Sequence, residues 1–267
     1  MVDFQFKENY NFYDFVEIMK LLRAPGGCPW DAEQTHESIR KNLIEETYEV
    51  IEAIDNKDSV LLEEELGDLL MQIIFHTLME EEKGKFDIDK VADGIAKKMI
   101  IRHPHIFGNS SADTVDEVLT NWDEIKKKTK GQKTTTDSML SVPRQFPALM
   151  RAEKLQKKAS KVGFDWTDVS GALDKLQEEI DEVRQAVASG VQKDIDEEMG
   201  DLLFSAVNVS RFTHTDPEEA LTFANDKFLA RFQGVEKKCI ERNIDMKNSS
   251  LDVLDALWDE VKEEMKN

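Results

Sequence analysis

The sequence predicts an all-α protein made of two related helical domains, and three observations lead there. Strand-like alternation is nearly absent, while apolar residues recur at three- and four-residue steps along almost the whole chain. An acidic phrase running into an apolar one is written twice, EEELGDLLMQ at 63–72 and DEEMGDLLFS at 196–205. Between the two copies lies a polar, threonine-rich stretch, KKKTKGQKTTTDSMLSVPRQFP, punctuated by Gly131, Pro143 and Pro147.

The first helix is expected over 11–23, where Phe12, Phe15, Val16, Met19 and Leu22 share a face, and it stops at APGGCPWD, whose prolines and paired glycines break it. Helices follow over 35–55, 59–82, 87–102 and 114–128. The stretch 131–146 reads as the linker between an N-terminal domain, 1–130, and a C-terminal domain, 147–267. A second helical set is expected over 147–161, 168–188, 191–214, 217–234 and 250–265, with Pro217 suited to a helix first turn.

The duplication is testable inside the chain. At a constant offset of 133, LIEETYEV at 43–50 meets LQEEIDEV at 176–183, and the two acidic-apolar phrases fall in the same register. Glu46 and Glu65 are 19 residues apart, as are Glu179 and Glu198. Further on, KKMIIR at 97–102 faces DKFLAR at 226–231, and LTNWDEIK at 119–126 faces DALWDEVK at 255–262 with slightly shifted offsets.

Composition narrows the partners. With 55 acidic and 35 basic residues the formal charge is -20, which opposes binding to a nucleic-acid polymer or to an anionic membrane surface. A polyanion can still bind if it arrives with metal or meets a local basic patch. Only Cys28 and Cys239 are present, too few for a disulfide framework, so a reducing cytoplasm is the expected setting. No stretch reaches the 18 or so apolar residues of a membrane span, and the first residues lack a signal-peptide pattern.

The repeated acids carry the chemistry. With about 100° per residue, Glu46 sits at the edge of an apolar arc formed by Leu43, Val50, Ile51 and Ile54, and Glu49 lies beside it. Glu65 and Asp68 hold the same relation to Leu66, Leu69, Leu70 and Ile73. An antiparallel hairpin through DNKDS would turn both pairs to one point. Glu45, Glu63 and Glu64 are less well placed to join them, although a second ion would lie within reach of Glu45. Four close carboxylates repel one another, and a hard divalent cation, Mg²⁺ or Mn²⁺, removes that penalty. Glu179, Glu182, Glu198 and Asp201 repeat the set, with Glu178 preceding it. A solvated acidic face explains one glutamate run, but not the same spacing twice. Gly67 and Gly200 fit either a close approach or a tolerated surface glycine.

A substrate anchor is expected from Lys227 and Arg231 on one helix and Trp258 and Lys262 on another, with Lys98, Arg102, Trp122 and Lys126 as first-domain counterparts. The cations suit phosphate oxygens; the tryptophans offer either a stacking face or an apolar knob. Arg151, Lys154, Lys158 and Lys161 read as a solvated basic face. His36, His76, His103, His105 and His214 lack the clustering of a metal triad.

At this point the chain closely resembles the MazG family of nucleoside triphosphate pyrophosphohydrolases, in its long, two-domain form. The family's acidic phrases, E-E-x-x-E and E-x-x-D, stand here as EETYE at 45–49 with ELGD at 65–68, and as EEIDE at 178–182 with EMGD at 198–201. GGCPWDAEQTHESI at 26–39, RHPHIFG at 102–108, PALMRAEKLQKKASKVGFDW at 147–166 and LWDEVK at 257–262 add to it. The resemblance implies tandem all-α nucleotide pyrophosphohydrolase domains whose bundles are completed by homodimerisation. It also implies Mg²⁺-dependent hydrolysis of a nucleoside triphosphate to the monophosphate and pyrophosphate, broad over NTPs and dNTPs including noncanonical ones. Glu46, Glu49, Glu65, Asp68, Glu179, Glu182, Glu198 and Asp201 would hold metal. Glu45, Glu46, Glu178, Glu179 and Glu182 are the catalytic candidates, with Glu178 or Glu179 accepting the proton of the attacking water. Of the two sites the second is the better candidate, because Lys227, Arg231 and Trp258 complete it. A narrower dUTP-selective hydrolase and a nucleotide-binding regulatory protein without turnover are the alternatives.

Overall fold

The computed structural model describes residues 4–108, 114, 117–118, 122, 125, 129 and 131–266, and every regular element among them is helical. The chain divides into two compact units, Met1–Lys126 and Lys127–Asn267.

In the first unit, α1 spans Phe12–Arg23 and opens on a capping box in which Asn11 and Asp14 satisfy each other's backbone N–H groups. A short α2, Pro29–Glu33, leads to α3, Arg40–Asp55, and α4, Ser59–Glu81. The helix expected from 35 begins only at Arg40. Thr35 and Ser38 bond reciprocally to each other's backbone N–H, a local alternative that holds 35–38 as a turn. Asp58 then caps α4 through Val60 and Leu61, so α3 and α4 form the expected hairpin. Next come α5, Ile88–Arg102, and a one-turn α6, Pro104–Phe107. Most of the helix expected over 114–128 lies outside the described residues.

The core of this unit joins Val16 and Met19 of α1 to Ile39 and to Ile74, Phe75, Leu78 and Met79 of α4. The expected seam is thereby corrected. Ile51, Ile54, Leu66 and Ile73 are 43%, 55%, 50% and 42% exposed, because only the C-terminal half of α4 packs under α1. Around the acids α3 and α4 cover each other on one side and leave these side chains open.

In the second unit the stretch expected as linker instead holds a helix, α7, Thr135–Leu140. It has its own Thr134/Asp137 capping box and packs on the following helix, with Ser138 and Val142 buried. Capped ends and buried neighbours outweigh the linker-like composition. There follow α8, Ala148–Ser160, α9, Val169–Ser189, α10, Gln192–Phe212, α11, Pro217–Glu241, a 3₁₀ turn at Met246–Asn248 and α12, Leu251–Glu264. Glu218, in the first turn of α11, accepts the backbone N–H groups of Leu149 and Met150 and so ties α8 to α11. The α9–α10 hairpin repeats α3–α4, while Val235, Cys239, Leu257 and Val261 form a core between α11 and α12. Helix α11 runs seven residues beyond the expected end at 234. Gly234 lets Val261 approach so closely that a β-carbon there would lie 2.6 Å from it, and this packing offsets the glycine's poor helix propensity. Gly67 and Gly200 stand in open space, so no close contact within the chain requires them.

Candidate active site

Each hairpin brings three glutamates together. Glu46 and Glu49 come one turn apart on α3 and meet Glu65 of α4, with one oxygen of each within 4.8 Å of the others. Glu179 and Glu182 on α9 meet Glu198 of α10 in the same way. The spacing read from sequence is thus realised in both copies. Asp68 and Asp201, expected as fourth ligands, lie outside these triads. Asp68 still acts on its neighbours through charge, raising the pKa of Glu46 and Glu65.

The electrostatics of the two copies differ. In the first, burial pushes the Glu46 carboxyl up, and the hydrogen bond to Glu49 and the charge of Asp68 add to it, while Gln72 donates to Glu46 at 3.4 Å. Burial likewise raises Glu65, with Glu49 and Asp68 contributing. In the second copy a lysine that sequence reading passed over enters the cluster. Lys175 Nζ lies 2.8 Å from Glu178, 2.8 Å from Glu179 and 3.9 Å from Glu182, and the bonds to Glu178 and Glu179 raise the lysine's own pKa. Glu182 is still pushed up by burial. Glu179 is 4% exposed and one of its oxygens, Oε2, is buried without a partner. The residue 133 before Lys175 is Asn42, so the first triad has no such cation at this position. The missed signal was the i, i+4, i+7 spacing of Lys175, Glu179 and Glu182 on one helical face.

The oxygen-only donor sets, the mutual repulsion within each triad and the orphaned Glu179 oxygen fit a hard divalent cation. Glu45 and Glu178, the neighbouring acids, are exposed and pair with lysines of their own helices, Lys41 at 2.7 Å and, at the edge of the second cluster, Lys175 at 2.8 Å.

The substrate-anchor candidates stand on other elements. Arg231 of α11 lays its guanidinium over Trp258 of α12, 5.7 Å from the ring centroid, and Phe228 packs beside the same ring at 5.4 Å. Arg231 Nε is buried without a partner. Lys227 is exposed, and Lys262 is 4.0 Å from Asp259. The first unit repeats the stack: Arg102 lies 5.2 Å from the Trp122 centroid, with His103 edge-on to that ring, while Lys98 is exposed. Lys126 lies outside the described residues. In both units the acids occupy one hairpin and the arginine–tryptophan stack other helices.

Comparison with known proteins agrees with the duplication. Residues 34–107 and 168–242 each match the MazG nucleotide pyrophosphohydrolase domain. The chain is 46% identical over 250 residues to the nucleoside triphosphate pyrophosphohydrolase of Escherichia coli K12, covering 92% of this chain and 94% of that one. It is 41% identical over 251 residues to the nucleoside triphosphate pyrophosphohydrolase/pyrophosphatase MazG of Thermotoga maritima, covering 94% and 95%. A Bacillus subtilis protein, YabN, shares 46% identity over 257 residues, which span 95% of this chain and 52% of YabN.

Proposed function

The chain belongs to the MazG family of nucleotide pyrophosphohydrolases, and from that premise we propose how its acids and cations carry out nucleoside triphosphate pyrophosphohydrolysis. The reaction takes NTP and water to NMP and pyrophosphate. The observation that carries the reading is the pair of carboxylate triads, one in each matched domain, with oxygens gathered within 4.8 Å.

Glu179, Glu182 and Glu198 would hold Mg²⁺, with Mn²⁺ able to substitute, and Asp201, outside the triad but one turn from Glu198 on α10, would add a further carboxylate. Glu46, Glu49, Glu65 and Asp68 form the first-domain equivalent. The ion, when bound, supplies Lewis-acid stabilisation of charge on the phosphate oxygens. Glu178 or Glu179 takes the proton of the water that attacks the α-phosphorus. Lys175 neutralises charge at the centre of the second cluster, and Lys227 and Arg231 meet the remaining phosphate oxygens.

The active form is a homodimer in this reading, supported by apolar side chains left open beside the acids, Ile44, Tyr48 and Ile51 on α3 and Leu66 and Ile73 on α4. The substrate range is broad over NTPs and dNTPs, and the setting is the cytoplasm, where Cys28 and Cys239 stay free thiols. Among the described residues no helix is long and apolar enough to cross a membrane.

Incubation with a panel of NTPs and dNTPs plus Mg²⁺ tests the reading through product identity. Monophosphate with pyrophosphate is expected; diphosphate with orthophosphate would overturn it. Glu182→Ala should lower pyrophosphate release by about 100-fold or more at the second site. Glu49→Ala measures the first site's share. Unchanged release in both single variants and in their combination would remove the triads from the chemistry.

A further inference from the structure

Two histidines of the first unit, which the acid chemistry leaves unused, meet where the chain enters α3. Nδ1 of His36, in the turn before α3, lies 2.8 Å from Nδ1 of His76 on α4. The ring planes are within 6° of parallel and the centroids are 5.1 Å apart. Rings in such close contact reach that separation only when the two nitrogens point straight at each other, so the rings lie end to end rather than face to face. The pair therefore holds a linear hydrogen bond, not the converging lone pairs that a shared metal ion needs. We propose that this pair is a proton-operated latch between the start of α3 and α4, closed while a single proton lies between the rings and open once each ring carries its own. The inference stands apart from the reaction.

Counting protons shows why. Nε2 of His36 lies 2.8 Å from Oε1 of Glu80, whose carboxyl Lys83 and His36 hold below the ordinary glutamate value. An ionised carboxylate only accepts, so Nε2 of His36 carries the hydrogen of that bond. If the His36 ring is neutral, its Nδ1 accepts from His76; if it is charged, its Nδ1 donates to His76. One bond forms either way, so the pair takes up a first proton without losing it. A second proton puts N–H groups on both Nδ1 atoms, and two donors on two like charges then face each other. The far nitrogen of His76, Nε2, is buried without a partner and offers no relief. Burial, with the charge of His36 adding to it, pushes His76 below the ordinary histidine value of 6.5. A histidine lowered in this way contributes stability that is fully present above 6.5 and is lost as pH falls through the lowered value.

The charged groups around the pair are Glu80 and Lys83 of α4, bonded to each other at 2.6 Å, and Glu37 of the turn, which feels the charge of His36. Among the helices packed on α4, α1 turns Lys20 and Arg23 to Glu81 and Glu82, α3 brings Glu46 to Gln72 one turn before His76, and α5 pairs Asp93 with Lys97. Opening the latch would release the turn that leads to Ile39, a core residue whose N–H is bonded to the Thr35 carbonyl, and through it the start of the helix that carries Glu46 and Glu49. The second unit has no counterpart. At the offset of 133, His36, His76 and Glu80 correspond to Val169, Val209 and Thr213, none of which titrates, so the chain carries its own control.

Amide hydrogen exchange of the full chain, read by mass spectrometry and corrected for the intrinsic exchange rate at each pH, tests the latch. Between about pH 7.5 and about pH 5 the amides of 35–46 in the wild type should lose about tenfold or more of their protection, while those of 168–179 keep theirs. The double variant His36→Val/His76→Val copies the second unit and should show no such loss, although Glu46 and Glu65 still titrate in it. His36→Gln covers the case in which the double variant does not fold: its amide donates to Glu80 and offers His76 an oxygen that a protonated ring can still bond, so its protection should also stay level. Unchanged protection in the wild type, an equal loss in the two segments, or a loss in His36→Gln as large as that of the wild type would overturn the proposal.

Discussion

At the level of single residues, carboxylate spacing on a helix is a geometric fact that survives folding, and for that reason Glu46, Glu49, Glu65 and their copies were legible in the sequence. Lys175 was not, because a lysine amid acids looks like an ordinary solvated pair until its ammonium is seen bonded to two glutamates at once. Gln156 of α8 and Asn208 of α10, 6% and 8% exposed, were hidden for another reason: nothing local tells a buried amide from a surface one. The Lys175/Asn42 difference makes a prediction. A cation inside an acidic cluster competes with a metal for the same oxygens. Lys175→Asn, which copies the first cluster, should therefore tighten Mn²⁺ binding at the second site by about tenfold or less once solvent screening is counted. Electron paramagnetic resonance of free Mn²⁺ measures this without turnover. Equal affinity in the variant and the wild type would mean that the ammonium leaves the cluster when metal enters.

Among elements, helix existence was legible nearly throughout, since period and punctuation agree. The ends moved where side chains or neighbours intervened: Thr35 and Ser38 held back α3, and Val261 carried α11 past Gly234. The α7 helix was missed because six residues of threonine-rich sequence hold no readable period, and its stability lies in a capping box and two buried side chains. A link between α1 and α4 allows a pH test. Arg23 donates to both oxygens of Glu82 and holds its carboxyl below the usual glutamate value of 4.5. A lowered carboxylate adds stability that is fully present above that ordinary value and is lost as pH falls through the lowered one. Glu82→Gln should therefore melt earlier than the wild type at pH 7, and the two melting temperatures should converge as the pH is taken well below 4.5. Parallel curves at all pH values would show the ion pair to be energetically silent.

Across the whole molecule, the sequence revealed two copies but not which apolar residues face inward, because a helical stripe marks a buried face without naming what buries it. Ile51, Ile54, Leu66 and Ile73 obey the period of a packed helix and yet are open in the single chain. If a second copy covers them, light scattering should give twice 30.6 kDa, and the melting temperature should rise with protein concentration. Leu66→Glu should lower both the mass and that dependence; a monomer at all concentrations would refute the dimer. One contrast between the copies has a last consequence, for ligand discovery. Phe75, 3% exposed in the core of the first unit, stands 133 residues before Asn208, which lines a 280 Å³ cavity in the second. A flat aromatic compound that fits this cavity should therefore saturate at one equivalent per chain, although the chain carries two acid clusters.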